Sequence, residues 1–330
     1  MKKTNIIGAS VFALGLLVVI IAFVTIGFNL DNLLEITKES GEIKDDFASI
    51  IIESESTDVV IKQAASGKCG IEILTTRGTT VKYAVENGVL TIKDENSWTD
   101  NLFYSGDNQV TLYLPKKEYS SLKLNGSSTD VSISGVDFEN AEILTSTGNV
   151  VIKSNIREAI VDVSTGDVVI DSLNGEDLSV KTSTGEIIIR NVALKNDVAV
   201  KATTGEVGFQ SVNIGGGVSV KVSTGDVECN GVIAKDFSAE AVSGDIELES
   251  LVLSGHMKLE TRSGDVELDR CDAVSMQIKT SSGDVDGTLL TDKIFYIETS
   301  SGDVSVPKST EGGMCQIATK SGDIVMIIVK

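Results

Sequence analysis

Histidine and tryptophan each occur once in these 330 residues, proline occurs twice, and aromatic side chains make up only 5%. Around the lone His256 no Ser-His-Asp relay or metal-ligand cluster can be assembled. Basic residues are scarce beside acidic ones, 28 Lys and Arg against 48 Asp and Glu, for a formal net charge of −20. Nucleic acid is therefore excluded as a partner, because phosphate binding needs clustered Lys and Arg. Anionic lipid or wall polymers would need bridging cations. The near absence of proline beside 31 glycines excludes collagen, and disordered linkers carry more proline and fewer β-branched residues than this chain.

Many β-branched residues with regular glycine punctuation point to an all-β architecture. The strongest signal is an internal repeat. A Ser/Thr-Gly-Asp/Glu/Asn-Val/Ile motif has its glycine at positions 148, 166, 185, 205, 225, 244, 264, 283, 302 and 322, spaced by 18 to 20 residues. Ser128-Thr129-Asp130-Val131 is a degenerate earlier copy. After each glycine, apolar residues stand two and usually four positions on, with Glu228, Glu247, Glu267 and Asp286 between them in the later copies. Before it they stand five and seven positions back, as in Val198 and Val200, and a small residue such as Thr280 or Thr319 stands three back. These period-2 patterns are strands with one buried face. The unit is strand, turn, strand, tight turn in about 19 residues, half the length of a propeller blade. It predicts a single-stranded parallel β-solenoid, or β-helix, of about ten to eleven coils over 126–330.

Residues 47–125 lack that rhythm. Strands are expected at Phe47–Glu53, Asp58–Lys62, Ile71–Leu74, Val89–Lys93 and Val110–Leu114, forming an N-terminal β cap with the first irregular coils. Residues 31–46 read as a polar stalk. Ahead of it, Lys2 and Lys3 precede Ile6–Phe28, 23 residues without a charge, giving a tip and transmembrane anchor over 1–30. At 1.5 Å per residue such a helix reaches roughly 35 Å, enough to cross a hydrocarbon core. No small-x-small cleavage site follows it. The positive-inside rule keeps the lysines cytoplasmic, which makes this a single-pass cell-membrane protein with an extracellular C-terminal domain.

The repeated S/T-G-D-V/I coil, with the preceding strand Val110-Thr-Leu-Tyr-Leu-Pro115, resembles the bacterial "putative adhesin" family over roughly 47–330. The resemblance implies a parallel β-solenoid on the outer surface, often behind one transmembrane helix, with LiaG-like members tied to cell-envelope stress systems. It brings no catalytic motif.

Four features bear on chemistry. The carboxylates that follow the glycines form a row, within which Asp226, Asp245, Asp265, Asp284 and Asp303 are the candidate cation ligands, calcium by analogy with other solenoids. The bland reading is that these side chains cap the turns. Trp98, Leu102, Phe103 and Tyr104 lie on one long loop, as partner contacts or as a plug of the rod's N-terminal end. Cys229, Cys271 and Cys315 take core slots in different parts of the cross-section, so free buried thiols are expected rather than a disulfide framework. The last coil, Gly322 to Lys330, is apolar from Ile324 to Val329, which predicts that this end packs on something, a second copy included. The function expected is a non-enzymatic, anchored scaffold or adhesin-like binder of an envelope protein or polysaccharide, without a resident cofactor. The alternatives are a carbohydrate-active enzyme on a β-helix, which needs unlike acids grouped in a cleft, and a cation-dependent binding module. An ice-binding face would need outward threonine rows, whereas the row three before glycine points inward.

Overall fold

Alternation sets the inner wall of each coil. In the strand Val198–Thr204 the residues Val198, Val200 and Ala202 are buried, while Ala199 and Lys201 face out. The computed structural model, which describes residues 36–76, 78–96 and 108–329, stacks such coils in parallel into a β-solenoid. One long sheet carries the strands that precede the corner glycines and the other carries those that follow them. Partners sit in strict register, Val180 beside Val200 and Val200 beside Val220. The core is one continuous aliphatic column with a short aromatic stack at its start, Phe47, Tyr119 and Phe138, with centroids 5.9 and 5.8 Å apart.

The corner glycines hold φ between +135° and +155°. At Gly244, for example, a Cβ would lie 2.1 Å from the carbonyl oxygen of Gly225 in the adjacent coil. Glycine is thus required twice, for its backbone conformation and because successive corners nearly touch. The inward residue three before it is buried where it is Thr182, Thr261, Thr280 or Thr319. Thr261 and Thr280 donate to the corner carbonyls of Gly244 and Gly264 at 3.1 and 3.2 Å. A second corner follows six residues after the glycine. Ser172, Asn191, Ser211, Ser250 and Arg270 have φ of +51° to +59° there, and Gly231 has +69°.

The stacking order departs from chain order at both ends. The first coil, Ser49–Ser54 with Thr57–Gln63, lies inside the second. Ser49–Ser54 pairs with both Val89–Asn96 and Glu118–Ser128, and Thr57–Gln63 with both Asn108–Leu114 and Val131–Ser134. At the other end Gly313–Ser321 lies between Ser275–Lys279 and Lys293–Ser301. Likewise Ile324–Ile328 lies between Val285–Leu289 and Val304–Ser305. The C-terminal coil is therefore not the end of the rod, as the sequence reading has it. The Gly302 coil is. Coverage on both edges suits the apolar run Ile324–Val329, and Pro307 suits an end rung because it cannot donate to a further strand. Where the chain steps over the slot, the buried Lys293 ammonium pairs with Asp272 at 2.6 Å.

The N-terminal end is closed by antiparallel strands. Gly70–Thr76 pairs with Asn108–Leu114, and Ile36–Glu42, within the segment read as a stalk, pairs with Gly70–Thr76. Thr79–Glu86, not foreseen in the sequence, forms a hairpin with Val89–Asn96 through Asn87-Gly88, both at positive φ. The first coil lacks a corner glycine. Buried Asp94 serves its turn instead, accepting from the Glu55 amide at 2.6 Å and the Thr57 hydroxyl at 2.7 Å. The anchor Ile6–Phe28 lies outside the described residues.

Candidate functional site

The row of acids after the glycines is first a hydrogen-bond ladder. The amides of Asp245, Asp265 and Asp284 donate to the Oδ1 atoms of Asp226, Asp245 and Asp265 at 2.7–2.8 Å. The ladder continues in spatial order, Asp323 to Asp284 and then Asp303 to Asp323, each at 2.7 Å. Asn149 and Asp167 do the same in the early coils. One oxygen of each linking carboxylate is thus held by an amide, which offsets the repulsion of like charges stacked at strand spacing. Among the described residues no group of three or more His, Cys, Asp or Glu is gathered to hold a metal ion.

A second acidic row is better placed to meet a partner. Glu228, Glu247, Glu267 and Asp286 point outward from consecutive strands and face one another in register. With Glu186 and Glu206 they line an open groove of about 1010 Å³ along the side of the rod. The intercalated coil closes one end of this groove with Val325 and Ile327, and Ile188 stands at the other. The Arg270 guanidinium is spent on Glu249 and Asp269 in the adjoining row, at 2.9 and 3.3 Å. Among the described residues no lysine or arginine pairs with the four in-register acids. Partial burial, then the neighbouring carboxylates, raise the pKa of Glu247, Glu206 and Asp286 above the ordinary range. The alternation in the sequence marks these acids as outward. Their assembly with the apolar ends into one groove depends on the order of the last coils, which the repeat does not disclose.

The remaining sequence candidates are not brought to this groove. Trp98, Phe103 and Tyr104 lie outside the described residues. His256 is exposed on another corner, its Nδ1 2.7 Å from Ser275 Oγ. Cys229, Cys271 and Cys315 are free and buried, and Cys69 is half-buried. Burial pushes the Cys69 and Cys271 thiols up to about 11 and that of Cys315 to about 12.

A family model described as Toastrack DUF4097 matches residues 47–230 and 216–330. The chain belongs to this family. No curated protein matches it. Among solved structures it is similar to a putative adhesin from Bacteroides fragilis, at 13% identity and a TM-score of 0.36, over 89% of this chain and 98% of that one. It is similar to a putative lipid binding protein from Parabacteroides distasonis, at 15% identity and a TM-score of 0.43, over 89% and 97%. A putative adhesin from the same organism gives 13% identity and a TM-score of 0.42, over 88% and 97%.

Proposed function

We propose that this chain is a non-enzymatic scaffold, held on the outer face of a cell membrane by Ile6–Phe28, that binds a cationic partner of the envelope along its acidic side groove. The partner is a basic protein segment or an amine-bearing polysaccharide. The observation that carries this reading is the row Glu228, Glu247, Glu267 and Asp286, in register and without an internal counter-ion among the described residues. Such a row is unfavourable by itself, and a partner's positive charges relieve it. The resemblance to LiaG-like members adds a role in cell-envelope stress regulation to this reading.

From Phe28 to Ile36 the chain spans at most about 27 Å, so the capped end of the rod faces the membrane and the Gly302 end points away. The test uses full-length bait in a pull-down from intact envelope. Wild type captures a partner that the Glu228→Gln, Glu247→Gln, Glu267→Gln, Asp286→Asn variant does not. Equal capture by the two overturns the groove reading, and capture only with added calcium replaces it with a cation-dependent module. Mass spectrometry of the membrane-extracted chain should find the N-terminus intact. A mature form beginning near residue 30 removes the anchor.

A further inference from the structure

The two ends of the rod are built differently. Antiparallel strands cover the N-terminal end. At the other end the Gly302 coil pairs, among the described residues, on one side only, through Lys293–Ser301 with Gly313–Ser321 and Val304–Ser305 with Ile324 and Val325. Its inward residues register the missing neighbour. Val304 is 46% exposed, whereas the equivalent residue of the other glycine coils, from Val150 to Ile324, is 0% exposed. Phe295 and Ile297 are only partly buried, while Cys315 and Ile317 one rung inward are at 0%. The Thr299 hydroxyl is buried with no hydrogen-bond partner among the described residues. The edges of the two sheets are not equally open. Val304–Ser305 is two residues long and Pro307 follows, a device that blunts an edge. Lys293–Ser301 is nine residues long, holds no proline, and has no strand on its outer edge among the described residues.

We propose that two copies of this chain join tail to tail through Lys293–Ser301, paired antiparallel about a two-fold axis at Ile297, so that each closes the other's open end. An antiparallel neighbour is already how this rod closes its first end. The cap there blocks head-to-tail growth, which leaves the isologous arrangement. A two-fold at Ile297, the midpoint of the strand, pairs all nine residues. Phe295, Ile297 and Thr299 of both copies then share the inner face and make the two cores continuous. On the outer face, exposed Tyr296 stands opposite Glu298 of the other copy, hydroxyl to carboxylate. No like charges oppose each other in this register, whereas a two-fold at Glu298 would set that residue against itself. The product is a straight rod of double length. On the anchor reading above, its two anchors lie at opposite ends, so the pair forms between two membranes.

The test begins with sedimentation of the full chain in mild detergent, which does not depend on membrane orientation. Wild type is expected to sediment at twice the 34.8 kDa chain mass, with hydrogen exchange at Lys293–Ser301 slowing as concentration rises. Tyr296→Glu places carboxylates opposite Glu298 twice and should weaken the dimer about tenfold. Adding Glu298→Lys to it should restore the dimer, which a merely misfolded strand would not do. A strictly monomeric wild type at high micromolar concentration overturns the proposal and leaves the edge to a strand of another protein. Association that Tyr296→Glu does not weaken, or that Glu298→Lys fails to restore, overturns this pairing as well. Chain reconstituted into phosphatidylcholine vesicles should cluster them, and the Tyr296→Glu chain should need a higher density on the vesicles to do so. A dimer in detergent without clustering overturns the two-membrane geometry alone.

Discussion

The amide of Asp323 donates to Oδ1 of Asp284 at 2.7 Å although the two residues are 39 positions apart, about two repeats. Every other such contact in the glycine coils spans 18 to 20 residues. The last coil has entered the slot between the two before it. Because the coils share one corner geometry and one inner alternation, either order satisfies the local pattern, and what selects the order must lie outside the motif. Pro307, the apolar strand Ile324–Ile328 and the buried Lys293–Asp272 pair all favour the intercalated order.

This order can be read covalently. Asp286 and Val325 are register partners on neighbouring strands, as are Val325 and Ser305. Parallel neighbours lie about 4.8 Å apart, within the Cα range of a disulfide. Oxidation of the Asp286→Cys, Val325→Cys chain should close a bridge that non-reducing mass spectrometry detects. In the Asp286→Cys, Ser305→Cys chain the two sites are two rungs apart, about 9.6 Å, and no bridge should form. The opposite pattern would mean that the coils stack in chain order. The native cysteines other than Cys69 are buried and compete little.

The corner glycines give the second prediction. Gly244 has φ of +139°, and a Cβ there meets the Gly225 carbonyl oxygen at 2.1 Å and its carbon at 2.6 Å. Both atoms are backbone held by the strand ladder, so neither moves without opening the stack. Gly244→Ala should therefore cost more than the ~1 kcal/mol of an incompatible backbone angle and approach ~3 kcal/mol. Ser219→Ala on an exposed strand face should stay within about 0.5 kcal/mol. Chemical denaturation of both variants decides it, and similar losses at the two sites would remove the corner contact as the reason for glycine.

The sequence discloses the coil because one physical requirement recurs at one point of each turn: only glycine fits where successive corners touch. It discloses the inner faces because a strand's period of two is fixed. The second corner is nearly silent. Its left-handed residue is Ser172, Asn191, Ser211, Gly231, Ser250 or Arg270, residue types that turns and exposed strand positions share. The cap strand Thr79–Glu86 is hidden for a related reason, since most of its residues are not buried and it shows little alternation. Of the groove, the outward acids are legible one by one, but Val325 and Ile327 join them only through the intercalation.

The groove makes the third prediction. Burial and the flanking Glu228 and Glu267 carboxylates raise the pKa of Glu247 above its usual value. In the unfolded chain that repulsion is absent. The folded state therefore binds the proton more tightly, and this contribution favours folding below the unfolded carboxylate pKa and is lost as pH rises through the raised one. Glu240, whose pKa is lowered by its hydrogen bonds with Lys258 and Lys221, works the other way: its contribution is present above the unfolded pKa and lost as pH falls. The wild-type profile mixes the two signs, and Glu247→Gln isolates one. At pH 7 that variant should be more stable than wild type. Glu247 is largely exposed and solvent screens it, so the gain should stay below about 1 kcal/mol. The difference should vanish below about pH 4, where the wild-type side chain is itself neutral, and shrink at 1 M salt, where screening reaches about 3 Å. Thermal unfolding of both proteins from pH 3 to 8 measures it. A variant equal to or less stable than wild type at pH 7, or a gain that persists in acid, would show that the row is already neutralised and that the groove has no unbalanced charge to offer a partner.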